Sequence, residues 1–194
     1  MRPIIKNHIQ SSIATKQKLL EEPYLQQIQF IAERFTRVIR EGGKILFCGN
    51  GGSAADAQHL AAELVVRLRG EFNRPAIAAL ALTTDSSILT AGGNDLGFET
   101  IFARQVEALG QPEDLLVAIS TSGNSPNVLK AVQVAQQKGI FVIGLTGGTG
   151  GALAKAADFT LIVPSSVTAH IQESHITIGH IVCQLLEEML FKKN

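Results

Sequence analysis

Lys44-Ile45-Leu46-Phe47-Cys48-Gly49-Asn50-Gly51-Gly52-Ser53 is the stretch on which the fold turns. Six residues from Lys44 to Gly49 make an almost unbroken apolar run of strand length. The glycine-rich segment Gly49–Ser53 follows at once, and a helix-period segment runs from Ala54 to Arg69. An apolar run without in-and-out alternation marks a strand covered on both faces, as in a parallel sheet. Four more runs of this kind follow, at Ala76–Leu82, Leu115–Ser120, Phe141–Thr146 and Phe159–Val163. Between them lie helix-period segments at about Gly97–Leu109 and at Asn127–Lys138. Strand-helix alternation predicts an α/β fold, a doubly wound parallel sheet of five strands with helices on both faces.

Long amphipathic segments flank the sheet. Ile4–Leu20 and Tyr24–Arg40 are split by Glu21-Glu22-Pro23, and Thr168–Phe191 reads as one long helix. Their apolar faces exceed what one modest sheet can cover, so burial by other copies of the chain is expected. With 194 residues and 45% hydrophobic content, the chain can fill one core, and 1–194 is read as a single domain, with the helices of 1–40 used in packing and oligomerisation.

Charge excludes some function classes. Lys+Arg and Asp+Glu each number 17, and no basic tract occurs, so nucleic acid and anionic membrane surfaces are not expected partners. Met1–Leu20 is interrupted by Lys6, Asn7, His8, Gln10 and Lys16, which fits neither a signal peptide nor a membrane span. Cys48 and Cys183, each within an apolar segment, read as two reduced core thiols and hence a cytoplasmic protein.

In open α/β sheets ligands bind at the carboxyl ends of strands, so the strand-to-helix loops hold the chemistry. In Gly49–Ser53, glycines permit close approach of backbone N–H groups, and Ser53 is a natural helix cap; a simple capped turn has the same composition. Ser120-Thr121-Ser122-Gly123-Asn124-Ser125-Pro126 carries four hydroxyls in six residues, the last of them Ser125 as cap, with Pro126 next at the first helical position. Such a loop can surround a phosphate with O–H and N–H donors without a basic residue, although ordinary loops share its residue types. The third, Thr146–Gly151, offers only glycine and threonine and reads as a turn.

Polar residues on two helices complete the candidates. His59 and Glu63, four apart, share a face one turn beyond the first loop, a spacing that suits joint metal ligation, a base with its partner, or a surface pair. In the last helix Gln172, Glu173, His175 and His180 interrupt an apolar pattern. Gln172 and His180 are two turns and about 80° apart and can serve one site. His175 lies near the same stripe, where a hydrogen-bonded core histidine is the plainer reading.

The combination of Cys48–Ser53, His59 with Glu63, Gly93-Asn94-Asp95, Ser120–Ser125, and Ile171-Gln172-Glu173 with His180 resembles the phosphoheptose isomerases of the sugar isomerase (SIS) domain superfamily, over essentially the whole chain from Ile4. The resemblance implies a flavodoxin-like fold and an aldose/ketose isomerase acting on sedoheptulose 7-phosphate in nucleotide-activated heptose synthesis, for lipopolysaccharide core or other glycans. It also implies a homotetramer with active sites at subunit interfaces and one Zn2+ per subunit held by His59, Glu63, Gln172 and His180. By the same carry-over Glu63 and His180 are the catalytic acid and base. The resemblance further implies that Asn50, Gly51, Gly52, Glu63, Asn94, Asp95, Ser120, Thr121, Ser122, Ser125 and Gln172 contact the substrate. Relatives often carry Arg where this chain has His170.

Three rival readings keep some of these features. A non-catalytic relative that binds the bacterial replication initiator protein resembles the chain at Ser53-Ala54-Ala55 and Ala57-Gln58-His59, but lacks equivalents of Glu63 and His180. Isomerases or etherases of other sugar phosphates share the fold and are usually metal-free. A dinucleotide enzyme would need spaced glycines and a later acidic residue that are absent here.

Overall fold

The computed structural model describes residues 1–192 of the chain; Lys193 and Asn194, the end of the expected 1–194 domain, lie outside the described residues. Five parallel strands, β1 (Ile45–Gly49), β2 (Ala79–Ala81), β3 (Leu115–Ile119), β4 (Phe141–Gly147) and β5 (Phe159–Val163), form one sheet in the order β2-β1-β3-β4-β5. Ile45 pairs with both Ala79 and Leu115, Leu115 with Phe141, and Ile143 with Phe159. This is the flavodoxin-like order, in which the switch between β1 and β3 opens a crevice at the carboxyl edge.

The strands are almost entirely apolar, Thr146 and Thr160 excepted, because alternate residues feed different cores. Ile45, Phe47, Leu115, Val117 and Ile143 join the core beneath α2 (Glu22–Arg40), α3 (Gly52–Val65) and α8 (Thr168–Phe191). Leu46, Cys48, Leu116, Ala118 and Val142 join the core beneath α5 (Ile101–Leu109) and α6 (Pro126–Gln137). Cys48 and Cys183 therefore lie on opposite sides of the sheet, free and buried, and burial pushes both thiols up to about 12. Among the described residues no helix is long and apolar enough to cross a membrane.

Three differences from the sequence-based expectation have local causes. β2 spans three residues rather than seven, because Ile77 N–H is drawn to the Leu64 carbonyl and the strand has β1 as its one neighbour. The helix expected to reach Arg69 stops at Val65, where Arg74 takes the Glu63 and Leu64 carbonyls and turns the chain. Two helices were not anticipated, α4 (Ser86–Leu96) and the short α7 (Leu153–Ala156). Gly92 and Gly93 obscure α4 by lowering helix propensity, but its start is signalled by Asp85, whose carboxylate accepts from Ile88 N at 2.8 Å.

α1 (Arg2–Lys18) meets α8 through Glu173, which accepts from Ser12 Oγ and, at 3.1 Å, from Lys16 Nζ. Those donors hold the Glu173 carboxyl below its ordinary value, the Ser12 hydrogen bond contributing most. His170, the position that departs from many relatives, is buried with its ring 4.7 Å from that of His8 on α1. Ile4, Ile5, Ile9 and Ile13 leave an apolar strip of α1 exposed.

Candidate active site

The loop after β1 enters α3 through Gly51, whose φ of 55° places it in the left-handed region. The helix begins at Gly52 rather than Ala54. Ser53 is consequently in the first turn, buried behind the loop, and does not cap the helix as its position suggested. Asn50 is also tied down. Its amide and that of Asn127, at the start of α6, exchange two hydrogen bonds of 2.8 Å each.

The loop after β3 is shaped by its own hydroxyls. Ser120 Oγ and Ser125 Oγ lie 3.0 Å apart, so Ser125 faces the loop interior and makes no capping bond to α6. Ser122 Oγ accepts from Asn124 N at 3.2 Å, Thr121 is half-buried, and Gly123 N–H closes a turn onto the Ser120 carbonyl. The segment after β4, expected to be a mere turn, supports this loop from behind. Gly147 N–H bonds to the Thr121 carbonyl, Leu153 N–H to the Gly123 carbonyl, and Ala152 N–H to Asn124 Oδ1. Gly123 has φ 68°, and a Cβ there would sit 2.0 Å from the Gly150 carbonyl oxygen. The close approach of two glycine backbones makes the cradle compact. It opens on the first turn of α6, where Pro126 has no N–H to satisfy and the helix dipole favours an anion.

α3 and α8 run side by side and carry the polar residues along their seam. Gly52 meets the Gln172 amide: a Cβ on Gly52 would lie 2.4 Å from Gln172 Nε2. Further along, Gly179 admits Leu60 against the α8 backbone, where a Cβ would come within 2.5 Å of Leu60 Cδ2. At the next level His59 Nε2 is 2.8 Å from His180 Nε2 and 3.0 Å from Glu63 Oε1. Ligand atoms of His59, Glu63 and His180 all lie within 4.8 Å of one another. The His59 side chain is 49% exposed and that of Glu63 16%, so the cluster opens to solvent along one side. Asp56, one turn before His59, has a buried Oδ2 without a protein partner; burial pushes its carboxyl up to about 6, with His59 opposing.

This donor set fits a zinc ion. Two imidazole nitrogens and one carboxylate oxygen already converge, and tetrahedral zinc with bonds of about 2.0–2.1 Å holds its nitrogens roughly 3.3 Å apart, an opening of about half an ångström from the observed 2.8 Å. Gln172 stays at the Gly52 end of the seam. Asn94 and Asp95 sit exposed at the end of α4, bonded to each other at 2.6 Å, with no hydrogen bond to the loops or the seam. His175 is outside the cluster. It is buried with Nε2 3.1 Å from the Thr146 carbonyl, and burial lowers its imidazole to about 4.

Two features escaped the sequence reading. Asn127 looked like one more helix residue after Pro126, and nothing local shows that it reaches across to Asn50. The buried pair between Arg74 and Glu187, Nε to Oε1 at 2.9 Å, fixes the end of α3 just beyond Glu63 from positions 113 residues apart.

Residues 8–147 match the SIS domain family. A phosphoheptose isomerase of Aneurinibacillus thermoaerophilus is 52% identical over 193 residues, covering 99% of this chain and 96% of its own. The structure of a phosphoheptose isomerase from Neisseria gonorrhoeae superposes with a TM-score of 0.89 at 45% identity, covering 96% of this chain and 98% of that one. One from Francisella tularensis gives 0.90 at 41%, covering 96% and 97%. With the five-stranded sheet, the hydroxyl-lined loop and the histidine–glutamate cluster all in place, the chain belongs to the phosphoheptose isomerase family of SIS-domain proteins.

Proposed function

We propose that this protein interconverts sedoheptulose 7-phosphate and D-glycero-D-manno-heptose 7-phosphate as a zinc-dependent aldose/ketose isomerase. The observation that carries the assignment is the convergence of His59, Glu63 and His180 on one seam of a chain so similar to phosphoheptose isomerases. The phosphate is assigned to the cradle of Ser120, Thr121, Ser122 and Ser125 before α6, where hydroxyls, backbone N–H groups and the helix dipole replace a basic residue. Gly51 and Gly52 offer backbone donors to the sugar.

The reaction moves one proton between two carbons and one between two oxygens. From the ketose, Glu63 removes a proton from C1 while His180 protonates the C2 oxygen, and the C1–H electron pair becomes the C1=C2 bond of an enediol. Glu63 then returns its proton to C2, and His180 accepts the proton leaving the C1 oxygen, so the aldehyde forms and both residues end as they began. A zinc ion held through His59 Nε2, His180 Nε2 and one Glu63 oxygen, with Gln172 as fourth ligand, would polarise the sugar oxygens and stabilise negative charge on them, leaving the second Glu63 oxygen and His180 Nδ1 for the proton transfers.

The exposed isoleucines of α1 and the open side of the His59 cluster support a homotetramer in which a neighbour completes each site, with Asn94 and Asp95 contributing across an interface. Two unpaired, inert thiols support a reducing cytoplasm, where the product would enter nucleotide-activated heptose synthesis for lipopolysaccharide core or another glycan.

The test is turnover of sedoheptulose 7-phosphate by zinc-quantified protein beside Glu63→Gln and His180→Gln. Each variant is expected to lose about 10²–10⁴-fold in kcat. Gln172→Ala separates its two assigned roles: a ligand loses zinc, whereas a sugar contact alone raises KM at full zinc occupancy. A zinc-loaded parent that leaves sedoheptulose 7-phosphate unchanged overturns the assignment.

A further inference from the structure

The loop after β1 and the loop after β3 come from different strands, yet both must meet one substrate. What joins them is a closed pair of amides. Asn50 Nδ2 donates to Asn127 Oδ1 and Asn127 Nδ2 donates to Asn50 Oδ1, each at 2.8 Å. Asn127 is 2% exposed, and its Oδ1 also accepts from Val128 N at 2.9 Å, so the residue is pinned to the first turn of α6 while it grips the opposite loop. Asn50, in turn, has its carbonyl bound by Ser53 N at 3.0 Å, at the entry to α3. The chain of bonds thus runs from the first turn of α3, through the two side chains, to the first turn of α6.

The pair has a further consequence for Asn50. One amide N–H and the Oδ1 of its side chain are engaged by Asn127, and the neighbouring residues Gly51 and Gly52 have no side chains to offer. Gly51 and Gly52 can therefore present only backbone groups to a ligand, and their direction, like that of the second Asn50 amide N–H, depends on where Asn50 is held. We propose that Asn127 is a positioning residue for substrate binding, acting through Asn50 to hold the glycine loop in register with the hydroxyl loop.

A buried amide pair is intolerant of chemical change even when shape is kept. An Asp in place of Asn127, once ionised, sets one carboxylate oxygen against Asn50 Oδ1, and rotating the Asn50 amide only moves the opposed acceptors to the other side. In hydrogen exchange the isosteric variant is then expected to behave like the truncation, which a space-filling role would not produce, whereas its KM also carries repulsion between the new charge and the phosphate. Either single truncation already breaks the pair, so removing both adds little.

The experiment uses the full-length protein and the variants Asn50→Ala, Asn127→Ala, Asn127→Asp and Asn50→Ala/Asn127→Ala. Its first measurement, backbone amide hydrogen exchange, does not depend on the reaction assigned above. Exchange at Gly51–Ala55 is expected to quicken about tenfold or more in all four variants, with exchange in β3 and β4 unchanged. Unaltered exchange at Gly51–Ala55 overturns the clasp. The second measurement rests on the assigned reaction: KM for sedoheptulose 7-phosphate at pH 8 is expected to rise about tenfold in each variant, including the double, with kcat changed less than about threefold. Single effects that multiply in the double variant, or an Asn127→Asp enzyme with parental KM, overturn the positioning role. Should the parent fail to turn over this sugar, the assigned reaction falls, and the exchange comparison alone decides whether Asn127 holds the loop.

Discussion

Replacing Arg74 with Met tests how the end of α3 is held. The Arg74 side chain is 1% exposed and that of Glu187 0%. Arg74 donates from Nε to Glu187 Oε1 at 2.9 Å, from Nη2 to the Glu63 carbonyl at 2.7 Å, and from Nη1 to the carbonyls of Leu64 and Pro75 at 2.7 and 3.0 Å. Met fills much of the volume but leaves Glu187 with Arg69 Nε at 3.2 Å and Leu68 N at 3.3 Å, the former on a partly exposed side chain. Breaking a buried pair from one side costs about 3–5 kcal/mol. For a chain of this length each kcal/mol corresponds to about 2–4 °C, so the thermal midpoint is expected to fall by roughly 10 °C. Because two of the lost bonds cap the carbonyls of Glu63 and Leu64, zinc affinity and kcat are expected to fall with it. Differential scanning calorimetry at fixed protein concentration gives the midpoint, and the double variant Arg74→Met/Glu187→Gln gives the sign. Neutralising Glu187 relieves a buried charge left with only its weaker charged partner Arg69, so the double variant is expected to be more stable than Arg74→Met alone. A midpoint shift under about 2 °C, or a double variant less stable than the single, would refute this account of the pair.

Gly123→Ala places a Cβ 2.0 Å from the Gly150 carbonyl at a positive φ, so at least about 1 kcal/mol of backbone strain adds to a clash between two main chains. The expected result is weakened phosphate binding by isothermal calorimetry. Gly179→Ala drives a Cβ to 2.5 Å from Leu60 Cδ2 and parts α3 from α8 near His59 and His180; a stability loss of roughly 1–3 kcal/mol and weaker zinc binding in a competition titration are expected. His175 is buried with its imidazole lowered to about 4, against an ordinary 6.5. The unfolded chain therefore binds the proton first, and stability present above pH 6.5 is lost as pH falls toward 4. Asp56, raised to about 6, works in the opposite sense, so the comparison is made by difference: His175→Leu is expected to flatten the His175 share of this loss in urea titrations at pH 7 and pH 4.5.

The legible parts of this molecule are those whose physics is local. An apolar run of five residues that must be covered on both faces declares itself in composition, and each of the five strands appears where such a run stands. His59 and Glu63 were legible because helical spacing alone puts them on one face, and that face meets His180 in the structure. The illegible parts are agreements between distant residues. Gly179 gives no sign in sequence that it sets the gap through which His59 meets His180, since its role exists only once Leu60 lies across it. Thr146–Gly151 reads as a plain turn for the same reason: its glycines act on Gly123, a residue on another strand's loop. Ser53 and Ser125 show the converse error, in which a sound local rule, hydroxyl before helix, yields to tertiary demand. Ser53 is taken into the interior behind Gly49, and Ser125 turns its hydroxyl to Ser120 inside its own loop instead of toward the helix. The departures from local preference thus gather in the two loops to which the substrate is assigned, as expected where tertiary demands compete with local rules.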